Sequence, residues 1–271
     1  MLTTFLFWNT NRQPLQEQIA NLAETHSVDV IMLAECPVDE NALLTALNRS
    51  RPNTYRFPFS LAAKIKIFTR FDSALLVDFF NDPIGGLTIR RLYLGEPGGL
   101  LLAVLHYPSR VNWDRDDQTL ESPMLAQDTG RAEETAGIFR TILVGDFNMN
   151  PFDPGMIGAQ ALHAVITKQL AQREDRDVRG RPYRFFYNPM WGFFGDRTGG
   201  PPGTYYLHSS KPGQFFWNMY DQVLVRPALI EKLVNVQILD TDGRSSLLTR
   251  FGLPSDAYGS DHLPLLFQLD L

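Results

Sequence analysis

Two short stretches of this chain carry side chains able to move protons or hold a cation. Thr141-Ile-Leu-Val-Gly-Asp-Phe-Asn-Met-Asn150 follows an apolar run with a glycine turn and then Asp146 and Asn148, two positions apart. In an extended chain, residues i and i+2 point to the same side, so this carboxylate and carboxamide leave the strand together. Gly259-Ser-Asp-His-Leu-Pro-Leu265 sets Asp261 beside His262 just before another apolar run, Leu265-Leu-Phe267. An acid beside a base, with a second acid and an amide on a distant strand end, points to one composite acid–base site.

Other polar residues stand at the ends of apolar runs. Asn9 follows Phe5-Leu-Phe-Trp8, Glu35 follows Val30-Ile-Met-Leu-Ala34, His106 follows Leu101-Leu-Ala-Val-Leu105 with Arg110 shortly beyond, and Asp221 precedes Gln222-Val-Leu-Val225. Taken singly, each has a structural reading: Asn9 bonding backbone at a strand end, Asp221 capping a turn, His106 satisfied within the fold. Arg110 reads equally as a phosphate contact or a solvated side chain. The full order Asn, Glu, His, Asp-x-Asn, Asp, Asp-His is hard to assign to chance. His26, His163 and His208 have no motif around them and read as surface or core histidines.

The elements that must position these groups alternate between strand and helix. Strand patterns cover Thr4–Trp8, Val28–Leu33, Ile65–Thr69, Ser73–Phe79, Leu87–Leu94, Leu100–His106, Ile142–Val144, Tyr220–Val225, Val234–Ile238 and Leu265–Leu269. Helical patterns cover Pro14–Glu24, Asp39–Leu47 and, with a break near Thr129-Gly130, Asp117–Arg140; a short helix is expected after Pro154. Crossovers mixed with hairpins predict a mixed-sheet α/β fold. At 271 residues and 44% apolar content, the chain can bury a substantial core and is expected to form one domain over 1–271.

A net charge of −5 gives no global basic field, which counts against a tight nucleic-acid binder unless a metal ion supplies positive charge locally. Cys36 is the single cysteine, so no internal disulfide forms, and a reducing compartment fits. The N-terminus has no basic region before its apolar residues, and no apolar run approaches the ~20 residues of a membrane span. The expected address is cytoplasmic. Residues 168–211 depart from the rest: eight basic residues stand against four acidic ones, with aromatics from Tyr183 to Tyr206 crowded among them. Such a segment either grips phosphates and stacks bases, with Arg179, Arg181 and Arg184 as contacts, or folds its aromatics back as a satellite core.

Trp8-Asn9, Leu33-Ala-Glu35, Leu105-His106, Gly145-Asp-Phe-Asn148, Tyr220-Asp221 and Ser260-Asp-His262 together resemble the endonuclease/exonuclease/phosphatase superfamily, to which DNase I and exonuclease III belong. The resemblance spans nearly the whole chain. It implies a four-layered α/β sandwich: two mixed β-sheets packed face to face, helices outside, and the site at one edge. It also implies a Mg²⁺- or Mn²⁺-dependent phosphoesterase, since hard oxygen ligands favour those ions. Glu35 would be the principal metal ligand, with Asn9 and Asp261. Asp146 would orient or deprotonate the attacking water, and Asn148 would hold that water or a phosphoryl oxygen. His262 and His106 would contact the phosphate, and Asp221 would fix the His262 tautomer. A second acid that orients the other histidine in the DNase I branch has no counterpart identified here. The short Gly-Asp-Phe-Asn motif and the basic aromatic segment lean toward nucleic acid as substrate. The alternatives are a phosphatase or phosphodiesterase of a small-molecule or lipid-headgroup phosphate, and a non-catalytic binding module.

Overall fold

Runs such as Phe5-Leu-Phe-Trp8 are apolar at every position because each face of the strand meets a different layer. The computed structural model describes residues 1–109, 113–197, 199–210, 212–213 and 215–271; Arg110 and Lys211 lie outside the described residues. The chain opens with β1 (Leu2–Asn9), α1 (Gln16–Thr25), β2 (Val30–Ala34), α2 (Glu40–Leu47), β3 (Ile65–Thr69), β4 (Leu76–Asn81), β5 (Leu87–Leu92) and β6 (Leu100–His106). Then follow α3 (Arg115–Ala136), β7 (Thr141–Asp146), α4 (Pro154–Ile157), β8 (Ala164–Val165), α5 (Lys168–Ala171), β9 (Asp175–Val178), β10 (Arg181–Arg184) and β11 (Phe186–Tyr187). The last elements are β12 (Tyr205–Tyr206), β13 (Trp217–Asn218), β14 (Asp221–Val225), β15 (Leu233–Ile238) and β16 (Leu265–Asp270).

A five-stranded sheet has the order β15-β16-β1-β2-β3, and a seven-stranded sheet the order β4-β5-β6-β7-β14-β11-β8. Both are mixed: β1 runs parallel to β2 and antiparallel to β16, while β6 runs parallel to β7 and β14 antiparallel to it. Side-chain alternation sorts the residues into layers. Phe5, Phe7, Val30 and Met32 of the first sheet share one core with Leu102, Val104, Ile142 and Val144 of the second. The opposite face of the first sheet, with Leu6, Trp8, Ile31 and Leu33, packs on Ile19 and Leu22 of α1 and Leu43 of α2. Leu101, Ala103 and Leu143 of the second sheet pack against Leu125 and Ala132 of α3. The result is the four-layered sandwich that the resemblance implies. No helix among the described residues is long and apolar enough to cross a membrane.

Two local expectations change. α3 is continuous through Thr129-Gly130, beginning at a capping box in which Asp114 and Asp117 exchange side-chain-to-backbone bonds and ending at Gly137 in the left-handed conformation. Gly130 has open space around it, and the Thr129 hydroxyl bonds back to Leu125 O, so neither residue interrupts the helix. The stretch from Ser73 begins as a 3₁₀ turn, Ser73–Leu75, capped by Asp72, before β4 starts.

α3 is tied to the second sheet by a buried ion pair. Glu133 accepts from Arg226 Nε at 2.7 Å and Nη2 at 3.0 Å, and from the Thr141 hydroxyl at 2.6 Å. The Arg226 guanidinium lies 3.7 Å from the centroid of the Phe186 ring and donates to Phe185 O. Glu133 and Arg226 are both buried.

Candidate active site

Register places the polar strand ends at one edge. His106 pairs with Asp146 across the parallel β6–β7 ladder, and Asp221 pairs with Asp146 across β14–β7. Asn9 ends β1, at the centre of the other sheet, and its amide donates to Asp146 Oδ2 at 2.9 Å, bridging the two sheets. Gly145 is not a turn: it lies within β7, and a Cβ there would collide with the carbonyl oxygen of Leu105 on the neighbouring strand. Gly145→Ala is therefore expected to destabilise the protein by about 1–3 kcal/mol and to displace Asp146. Equilibrium urea unfolding measures this; an unchanged midpoint would show that β6 and β7 separate freely.

Asp146 is held by three donors. Oδ1 accepts from the Asn148 backbone at 2.8 Å, and Oδ2 from the amides of Asn9 and Asn148, at 2.9 and 3.2 Å. The Asn148 amide also donates to Tyr107 O at 2.8 Å. Both of its hydrogens are thus committed to protein acceptors, so Asn148 orients Asp146 and has no donor left for a phosphoryl oxygen.

Each histidine has a carboxylate partner. His262 Nδ1 lies 2.8 Å from Asp221 Oδ2, and both side chains are buried. Burial disfavours the imidazolium, but Asp221 and Asp146 outweigh burial and hold His262 in its charged form well above the ordinary histidine range. With Nδ1 bound, Nε2 is left to the cleft. The backbone around it is fixed by Trp8 Nε1, which donates to His262 O, and by the Ser260 hydroxyl, which accepts from His262 N. On the other side, His106 Nε2 lies 3.1 Å from Glu35 Oε1. Burial lowers the basicity of His106, yet Glu35 and Asp146 raise it on balance. Asp146 Oδ2 is 3.9 Å from Nε2 of both His106 and His262.

Glu35 sits just past β2 with a φ of +48° and also meets Arg12 Nε at 3.2 Å. The hydrogen bond with His106 and the charges of His106 and Arg12 overcome burial and bring its carboxyl down to about 2. Asp261 is half-buried and near the Ser260 hydroxyl; burial pushes its carboxyl up, against the pull of His262.

Asn9, Glu35, Asp146, Asn148, Asp261 and His262 line one cleft of about 970 Å³. His106 reaches its edge through Glu35, and Asp221 stands behind His262. The structure does not bring Arg179, Arg181 and Arg184 there. β9 and β10 form a separate hairpin, with Arg179 and Gly180 at its turn; Arg181 and Arg184 line a different cleft beside α3, and Arg184 covers the Phe139 ring. The aromatics of that segment divide. Phe185 and Phe186 join the cores, Trp191 and Phe194 pack on Phe152, and Tyr205 reaches the site with its ring 4.6 Å from that of His262.

Several site residues escape the sequence reading. Asn150 continues the Asp146, Asn148 alternation and bonds Asn218 Oδ1 at 2.9 Å, and both line the cleft. The alternation itself carried that signal. Thr204, whose hydroxyl accepts from Asp221 N, comes from a segment with no periodic signal, and Arg115, bonded to Asp153 at 2.7 Å on the cleft wall, opens α3 two residues before the helical pattern begins.

The donor set suits a hard divalent cation: carboxylates and amide oxygens, with no thiolate among them. Ligand atoms of Asp146, Asp221 and His262 lie within 4.8 Å of one another. An ion held by all three would break the Asp221–His262 bond, so the Glu35 side is the better seat. Cys36, next in the chain to Glu35, is not an oxygen donor and does not line this cleft.

Comparisons with known proteins place the chain in a family and a fold. The sequence model described as the Endonuclease/Exonuclease/phosphatase family matches residues 6–262. None of the curated proteins matches the chain. Among solved structures, a humanized D. rerio TDP2 carrying 14 mutations is similar at 13% identity, covering 100% of this chain and 99% of that one, with a TM-score of 0.58. An AP endonuclease from Archaeoglobus fulgidus is 12% identical over 99% and 100% of the two chains, TM-score 0.57. A 3′ phosphatase, NExo, from Neisseria bound to a product DNA hairpin is 17% identical over 99% and 100%, TM-score 0.54. At these identities the likeness is one of fold.

Proposed function

Because this chain belongs to the Endonuclease/Exonuclease/phosphatase family, we propose that it is a divalent-metal-dependent phosphoesterase, a nuclease hydrolysing phosphodiester bonds of DNA or RNA. The observation that carries the reading is the single carboxylate oxygen, Asp146 Oδ2, flanked at 3.9 Å by Nε2 of both His106 and His262. That arrangement sets a proton acceptor for the attacking water beside two imidazoles that can stabilise charge on the phosphoryl and leaving oxygens.

Asp146, held by Asn9 and Asn148, orients the attacking water and accepts its proton. His262, its other nitrogen bound to Asp221, directs Nε2 at a phosphoryl or leaving oxygen and stabilises the charge that develops there. His106, its Nε2 held by Glu35 at 3.1 Å, places a second imidazole on the other side of Asp146, where it adds positive charge beside the phosphate. Glu35, Asn9 and Asp261 would hold Mg²⁺ or Mn²⁺, which supplies charge neutralisation on the phosphoryl oxygens when bound. Tyr205, Tyr220 and Phe215 form an aromatic wall of the cleft against which bases can stack.

Incubating the protein with plasmid, single-stranded DNA, RNA and inositol phosphates, with and without EDTA, tests the class. Cleavage of polynucleotide supports the nuclease reading, and release of phosphate from inositol phosphates alone would replace it with a phosphatase. Glu35→Gln is expected to raise the metal concentration for half-maximal activity on the order of ten-fold or more, as loss of a direct ligand should at least match loss of an outer partner. A metal titration that superimposes on wild type would remove Glu35 from the metal site.

A further inference from the structure

We propose that catalysis is directed to chain ends: a second cleft, reached past Glu35 and His106, takes a terminal nucleoside with no phosphate beyond it. The proposal rests on the diesterase reading above. This second cleft has a volume of about 640 Å³ and shares Arg12, Glu35 and Ser109 with the catalytic cleft, with His106 on its own wall bonded to Glu35. A substrate whose phosphorus lies between His106 and His262 therefore has room for a group on each side.

The two sides differ in chemistry. The catalytic cleft is lined by amides, carboxylates and aromatic rings. The second is walled by Pro83, Ile84 and Leu87, around the β4–β5 turn, and by Met124 and Leu125 of α3. Glu121, Met124, Leu125 and Asp128 follow helical spacing and share one face of α3. Charge is graded along this cleft. Arg12 stands at the end shared with the catalytic cleft, while Asp82, Glu121 and Asp128 border only the second cleft; Lys64 also lines it, and Asp128 is paired with Arg131 at 3.6 Å. Lys66, also in the lining, is paired with Glu40 at 3.1 Å. Asp128 is half-buried, and its carboxyl is pushed up by burial and by Asp82, against Arg131.

A polynucleotide running through this cleft would set its next phosphate beside the Asp82 and Glu121 carboxylates, with Asp128, partly offset by Arg131, next to them. Like charges brought together in a partly enclosed cleft repel one another. A nucleoside with a free hydroxyl meets no such repulsion, and its ring faces match the apolar wall. The cleft therefore admits an end and rejects an interior.

The test compares a short single-stranded DNA with hydroxyl ends, the same strand phosphorylated at both ends, and the same sequence as a covalently closed circle. Bis(p-nitrophenyl) phosphate reports on the catalytic centre. Wild type is expected to cut the hydroxyl-ended strand at least about ten-fold faster than the circle or the phosphorylated strand, releasing product from one end. The double variant Glu121→Lys, Asp128→Lys should bring the three rates together while leaving bis(p-nitrophenyl) phosphate hydrolysis unchanged. Equal rates on circle and linear strand in wild type, an unchanged ratio in the double variant, or hydrolysis of the aryl diester without any cleavage of DNA would each overturn the end-directed assignment alone. Failure on every substrate would instead remove the diesterase reading, and this inference with it.

Discussion

His262→Ala is expected to lower turnover by ~10²–10⁴-fold, the span of a lost proton transfer in the transition state. The size follows from the geometry: Nδ1 is engaged by a buried carboxylate at 2.8 Å, so the ring has one orientation and one free nitrogen, which faces the reacting centre. Alanine removes that donor and leaves Asp221 buried without its partner. Asp146→Ala should cost a similar amount, because among the described residues no other carboxylate lies within ion-pair distance of both His106 Nε2 and His262 Nε2. Asp221→Asn should cost less and change the pH dependence. Asp221 raises the His262 basicity, so its neutralisation lowers the pH at which the imidazolium is lost. If His262 acts protonated, the alkaline limb of the rate profile moves toward lower pH in Asp221→Asn. Turnover in His262→Ala close to wild type, on any diester the enzyme cleaves, would remove His262 from the chemistry.

Glu133→Ala is expected to destabilise the fold by about 3–5 kcal/mol, although Glu133 lies in the layer behind the sheet and does not line the catalytic cleft. Arg226 would remain buried with its charge uncompensated, keeping only the bonds to the Arg184 and Phe185 carbonyls. The Thr141 hydroxyl at the start of β7 would lose its acceptor as well. Since β7 carries Asp146 and β14 carries Asp221, the damage should spread to the site as temperature rises, though kcat at low temperature should remain near wild type. Denaturant unfolding gives the free energy. A loss below about 1 kcal/mol would mean that water reaches Arg226 and the pair is effectively at the surface.

The residues most legible in the sequence are those whose environment is imposed by two layers at once. β1, β2, β6, β7 and β14 are buried on both faces, so their apolar runs stop abruptly where the sheets end, and the first polar residue falls at the edge that both sheets share. Asn9, Glu35, His106, Asp146 and Asp221 are read this way, and His262 from its adjacency to Asp261. Positions set by loops leave no such signature. Tyr205 and Asn218 reach the cleft on the two-residue strands β12 and β13 and Arg115 at the first residue of α3, too short or too terminal for a periodic pattern, while Thr204 supports Asp221 from behind. The β9–β10 hairpin shows the converse. Its arginines are conspicuous in composition, but Glu133, Arg226 and the aromatic core on that side of α3 decide where the hairpin sits, and they hold it away from the catalytic cleft. Gly145 reads as a turn residue in the sequence because its actual role, close approach of β6 to β7, depends on a partner strand distant in the chain.

The most direct test of the central claim is the rate of bis(p-nitrophenyl) phosphate hydrolysis by purified protein across a titration of Mg²⁺ or Mn²⁺ and then with excess EDTA. The expected result is saturable, metal-dependent release of p-nitrophenol that EDTA abolishes and that Asp146→Ala and His262→Ala lack. Hydrolysis that persists in excess EDTA, or that survives both substitutions, would contradict it.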